Sequence, residues 1–105
     1  MSQQVINDAI RINEITGRPM TECENQAMQI AECVNLMRSQ IVEFYFVKSD
    51  GTIRQAFGTL QSDIILPLIK GTSNREPNPD LVTYYDTEKN QFRSFKKVNF
   101  QYFVA

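Results

Sequence analysis

The chain has 105 residues, 12 acids against 11 bases for a net charge of −1, with 42% hydrophobic and 22% charged residues. This is the composition of a globular domain, which excludes intrinsic disorder, and a chain this short buries about two thirds of its surface around one core rather than two. Histidine is absent, which removes the usual general base, the usual zinc ligand and every Ser-His or Cys-His nucleophile pair.

In chain order, Ser2 is placed to cap a first helix whose apolar residues Val5, Ile6, Ala9, Ile12 and Ile15 recur at helical spacing. Thr16-Gly17-Arg18-Pro19 ends it. The N-terminus lacks a basic segment followed by an apolar run, so no signal peptide is expected. Thr21 followed by Glu24 reads as a capping box opening a second helix to about Ser39. Its stripe of Cys23, Ala27, Ile30, Ala31, Val34 and Met37 forms a core face. Cys23 and Cys33 would stand about 15 Å apart along this helix, beyond the reach of a disulfide. Both are read as packing residues, and free thiols suit a reducing, cytoplasmic setting.

From Ile41 the period changes to two: Val42, Phe44 and Phe46 alternate with Glu43, Tyr45 and Val47. Ser49-Asp50-Gly51-Thr52 supplies a hairpin turn, and the return strand runs from Ile53 to about Leu60. Gly58-Thr59 and Lys70-Gly71-Thr72 lack the glycine framework of a phosphate loop and are read as turn residues. The apolar stretch Ile64 to Ile69 around Pro67 is far too short to span a membrane. It is expected to plug one end of the β structure, the alternative being an exposed docking patch. A polar loop at 71–80 follows.

Leu81 to Tyr85 and Gln91 to Phe95 form a second hairpin, turning at Thr87 to Asn90. A last strand is expected to carry Val98, Phe100, Tyr102 and Val104 on one face. The fold class is therefore α+β: a helical hairpin over residues 1–40, then five short antiparallel strands over 41–105 forming a small barrel or a strongly twisted sheet, together one domain. Closing the barrel would hide its edges.

No carboxylate pair has a spacing that forces both into one pocket, and the two cysteines lack the spacing of a zinc or redox motif. The chain is read as non-enzymatic, with no metal or cofactor. The residues with binding promise are basic and aromatic: Lys48, Arg54, Tyr85, Arg93, Phe95, Lys96 and Lys97, with Tyr45, Tyr84, Phe92 and Phe103 beside them. Bases stack on rings while Lys and Arg meet phosphates, so single-stranded nucleic acid is the first candidate partner. The competing reading makes these rings the core and these charges a solvated face. Arg93 is expected either to pair with Asp86 across the hairpin or to take a ligand's phosphate.

The run Phe46-Val47-Lys48-Ser49-Asp50-Gly51-Thr52-Ile53-Arg54-Gln55-Ala56-Phe57-Gly58-Thr59-Leu60, followed by Tyr84-Tyr85-Asp86 and Phe92-Arg93-Ser94-Phe95, resembles the WYL-like Sm/SH3 β-barrel family. The resemblance spans roughly residues 41–100. It departs from the family's pattern at Phe92, where a tryptophan is common. The resemblance implies that residues 41–105 form a five-stranded antiparallel SH3/Sm-like β-barrel of bacteriophage or Bacteroidetes type, with a ligand-sensing or nucleic-acid-binding role in a bacterial host's cytoplasm. Two other readings stand beside it. One is an adaptor docking a host or phage protein, or a phage structural component, through the 71–80 loop and a helix face bearing Met28 and Leu36. The other is a small-molecule sensor with a pocket between helices and barrel.

Overall fold

The structure is a computed structural model describing residues 2–69 and 78–105. Helix α1 (Gln3–Thr16) opens with Ser2, whose hydroxyl accepts from the Val5 amide at 3.2 Å. It closes at Gly17, whose φ of 72° sets the left-handed cap that lets its N–H reach the Asn13 carbonyl at 2.9 Å. Helix α2 (Met20–Met37) begins one residue before Thr21, so the predicted capping box does not form. Pro19 sits extended at the cap, and its carbonyl accepts from Glu22 and Cys23, both at 3.1 Å. The two helices pack against each other and against the sheet through Val5, Ala9, Ile12, Cys23, Ala27, Ile30, Cys33 and Met37. Both thiols are buried and unpaired.

Five antiparallel strands follow: β1 (Val42–Val47), β2 (Ile53–Thr59), β3 (Leu81–Asp86), β4 (Gln91–Lys96) and β5 (Phe100–Val104), in the spatial order β4-β3-β2-β1-β5. The β1–β2 turn is the predicted one. Gly51 takes φ 89°, and Asp50 Oδ1 accepts from the Thr52 amide at 3.0 Å and its hydroxyl at 2.6 Å. Val42, Phe44 and Phe46 point inward as their alternation requires. Gly58-Thr59 is not a turn but the end of β2, where the Thr59 hydroxyl donates to the Met37 carbonyl at 3.1 Å and Leu60 N–H to the same oxygen at 2.7 Å. This pair of bonds ties β2 to the end of α2.

The closed roll expected from five short strands is not formed. Strands β2 and β3 share only two register pairs, Gly58↔Asp86 and Thr59↔Tyr85, and no ladder joins β4 to β5 among the described residues. The chain passes from β4 to β5 through a 3-10 turn, Lys97–Asn99. The Lys97 N–H donates to the Asp80 carbonyl at 2.9 Å, while its ammonium holds both oxygens of Asp8 on α1 at 2.9 and 3.0 Å. Side chains rather than backbone bridge the gap, with the Phe95 and Phe100 rings 5.6 Å apart.

Two further expectations are corrected. The last strand does not keep Val98, Phe100, Tyr102 and Val104 on one face. A bulge between Tyr45 and Phe46 pairs Tyr45 with Tyr102 but Phe46 with Phe100. Phe100 is thereby buried and Tyr102 left half exposed. The segment after β2 is not a plug: α3 (Ser62–Ile65) and the 3-10 turn Leu66–Leu68 bury no residue, and Leu66 is 63% exposed. The end of β2 from which it leaves is tied instead to the last turn of α2, where Met37 is buried in the core. Of the predicted loop at 71–80, residues 71–77 lie outside the described residues.

Candidate functional site

Where β4 and the β1–β2 hairpin face each other across the unclosed side of the sheet, they enclose a cleft of about 360 Å³. Its lining includes Lys48, Arg54, Arg93 and Lys96, with Tyr84, Phe46 and Phe95 beneath. The β-register explains this convergence. Arg54 pairs with Phe46, and Arg93 with Tyr84, so both guanidinium-bearing residues stand on the core side of the sheet at the end the helices leave uncovered. Lys48 enters from the hairpin turn and Lys96 from the end of β4.

The charges have different partners. Arg54 donates to Asp86 Oδ2, and this pair is largely out of water, the two side chains being 17% and 0% exposed. The other oxygen of Asp86 accepts from the amides of Glu88 and Lys89, both at 2.9 Å, and so fixes the β3–β4 turn, in which Asn90 takes φ 54°. Asp86 is therefore the partner of Arg54 and not of Arg93, which corrects the pairing proposed from the sequence. Arg93 instead lies along Gln91. With its carboxamide oxygen turned toward the guanidinium, Gln91 accepts from Nη2 at 2.6 Å and Nε at 3.0 Å. Lys48 stands 3.9 Å from Asp50 in an exposed pair of little energetic weight. Lys96 has no ion pair among the described residues.

Tyr84 is the unusual member. It is fully buried, with its ring edge-on to Phe44 at 4.9 Å, and its hydroxyl has no hydrogen-bond partner among the described residues. Leaving a buried hydroxyl unpaired costs about 1–3 kcal/mol. Burial pushes the phenol above its ordinary value of 10.0. Arg54 and Arg93 oppose the shift and Asp86 adds to it, so the group is a neutral donor at physiological pH. The ring fits because residue 58 is glycine: a Cβ there would lie 2.6 Å from Tyr84 Cδ2 and 2.9 Å from Phe44 Cε1.

Five of the seven residues singled out from the sequence line this cleft: Lys48, Arg54, Arg93, Phe95 and Lys96. Phe95 is no stacking platform, however, because it is buried among Phe44, Phe46, Tyr84 and Phe100. Lys97 is a structural tether, ion-paired with the mostly buried Asp8. Tyr85 lies on the opposite face of the sheet, its ring edge-on to Phe92 at 5.3 Å. Tyr45 stacks on Tyr102 at 4.5 Å on that outer face and donates to Glu43, and Phe103 packs partly against the core. Neither Asn99 nor the unpartnered state of Tyr84 is among the features read from the sequence. Alternation along Leu81–Asp86 could have placed Tyr84 beside Asp86 on the inner face, whereas nothing local signals Asn99 in its 3-10 turn.

Among the described residues no three His, Cys, Asp or Glu side chains gather as a metal site, and no helix is long and apolar enough to cross a membrane. The parts of the cleft are those of an anion seat: forked and point donors, a neutral hydroxyl and an apolar floor. Neither a curated protein nor a solved structure matches the chain. The family model for WYL_2, Sm-like SH3 beta-barrel fold, matches residues 30–101, beginning in the half of α2 that Thr59 anchors. A match over more than half of its length makes this chain a member of the WYL_2 family, with an Sm-like SH3 fold whose sheet is left open between β4 and β5.

Proposed function

We propose that this chain is a non-enzymatic binding module that holds single-stranded nucleic acid by its phosphates at the β4/β1–β2 cleft. The observation that carries the reading is the convergence of Lys48, Arg54, Arg93 and Lys96 on one cleft, with Asp86 the one buried counter-charge beside them among the described residues. Sm-like SH3 domains are typically binding modules without catalysis, which agrees with it. The setting belongs to the same proposal: a bacterial cytoplasm, in a phage or mobile-element context.

A labelled single strand titrated by anisotropy at rising salt tests it. Each phosphate contact contributes about −0.7 to the slope of log K against log salt for single strands, so three contacts give about −2. Arg93→Met and Lys96→Met should each weaken binding and flatten the slope by about 0.7. No detectable retention at low salt removes the reading.

A second reading, a protein-docking adaptor, draws on the exposed Leu66, Leu68 and Ile69 after β2. The helix face bearing Met28 and Leu36 is weaker, because Leu36 packs against the core and leaves Met28 exposed without it. Light scattering and pulldown decide the matter: a monomer that captures no protein discredits this alternative.

A further inference from the structure

We infer that the cleft is built for a phosphate monoester, the terminal phosphate of a strand or of a free nucleotide, rather than for the diesters along a chain. The inference rests on the phosphate-binding reading above and narrows it. Among the described residues, setting Asp86 against Arg54 leaves Arg93 and Lys96, with Lys48 held only by its exposed 3.9 Å pair with Asp50, as positive charges around a seat of about 360 Å³, near the small end of ligand clefts. A diester linkage brings one negative charge and two free oxygens. A monoester brings nearly two charges and three strong acceptor oxygens, which matches this surplus and this number of donors. Tyr84 adds the independent observation: a fully buried phenol lining the cleft, with its hydroxyl unpartnered among the described residues. The hydroxyl is closed from water, so donating to an anionic oxygen in the cleft takes a small turn of the ring, and the group brings no charge of its own. Arg93 supplies a fork for two oxygens, its competing partner among the described residues being the neutral carboxamide of Gln91.

The test compares an end-phosphorylated oligonucleotide with its unphosphorylated twin, and a nucleoside monophosphate with its nucleoside, at fixed ionic strength by anisotropy and calorimetry. The phosphorylated strand should bind at least about tenfold more tightly, the effect of one charge-assisted contact. The preference should fade as pH drops through about 6, where the monoester takes up its second proton. Tyr84→Phe should reduce the ratio to within about threefold. Arg93→Lys, which keeps the charge and loses the fork, should reduce it independently of any folding defect at position 84. Binding of the monophosphate but neither strand would support the inference and assign the phosphate to a free nucleotide. Equal affinity for the two strands, or a preference that survives both substitutions, overturns the monoester seat while leaving nucleic-acid binding intact. Binding of no strand and no nucleotide overturns both.

Discussion

Replacing Gly58 with alanine puts a methyl group where the structure has no room for one. The new Cβ would meet Tyr84 Cδ2 at 2.6 Å and Phe44 Cε1 at 2.9 Å, against an optimal carbon–carbon separation of about 3.5–4.0 Å. Each ring would have to retreat by about 1 Å, and both are fully buried. Phe44 is braced by Phe46 and Phe95, and Tyr84 by Phe95. Overpacking of this kind costs about 1–3 kcal/mol. Against it stands a gain of about 0.5–1 kcal/mol, because alanine has less unfolded-state freedom to lose than glycine. The clash wins, and the net effect is a loss of about 1–2 kcal/mol. For a domain of this size that lowers Tm by roughly 5–15 °C, readable by circular dichroism and by the urea midpoint. Because Tyr84 floors the cleft, the same variant should also bind phosphate less well. Gly51→Ala is the contrast, since none of the described residues lies within 4 Å of its Cβ and its φ of +89° is what opposes the change. A Gly58→Ala protein as stable as the parent would refute the close-approach argument.

Asp86→Asn removes the charge facing Arg54 inside a pair that water barely reaches, and should cost about 3 kcal/mol in denaturant unfolding. An unchanged midpoint would mean that Arg54 is solvated without it. Lys97→Met should destabilise by about 2–4 kcal/mol through the loss of its bond to Asp8. It should leave the salt slope of nucleic-acid binding unaltered, whereas Lys96→Met should do the reverse. Cys33 is buried and its thiol is pushed up from 9.0 to about 12 by desolvation. Above pH 9 the unfolded thiol ionises while the folded one keeps its proton, so stability should fall as pH rises from about 9 toward 12. Cys33→Ser should flatten that decline, and the native thiol should resist aromatic disulfide reagents until the chain unfolds.

Much of this molecule is legible in one dimension because its local rules agree. Val42, Phe44 and Phe46 alternate and are buried, Asp50-Gly51 turns the hairpin, Gly17 closes α1, and the small-residue stripe from Cys23 to Met37 packs inward. Each of these is set by neighbours within about one turn or one pleat, so periodicity and turn chemistry suffice. Such neighbours also told which charges and rings were available for a site.

Which of them meet is decided by contacts between residues far apart in sequence. Asp86 chooses Arg54 across 32 residues rather than the nearer Arg93, because the β2–β3 register sets Gly58 opposite Asp86 and brings the inward Arg54 side chain to it. Lys97 leaves the candidate site because α1, 89 residues away, presents Asp8 to it. A single bulge opposite Tyr45 sends Tyr102 to the outer face while keeping Phe100 within. The sheet stays open because side chains and the Lys97–Asn99 turn fill the gap that a backbone ladder would have closed. Residue type and local spacing thus determine the elements and their buried faces. Register, the packing of the helices and the competition for buried counter-charges determine the cleft, and these exist only once the chain has folded.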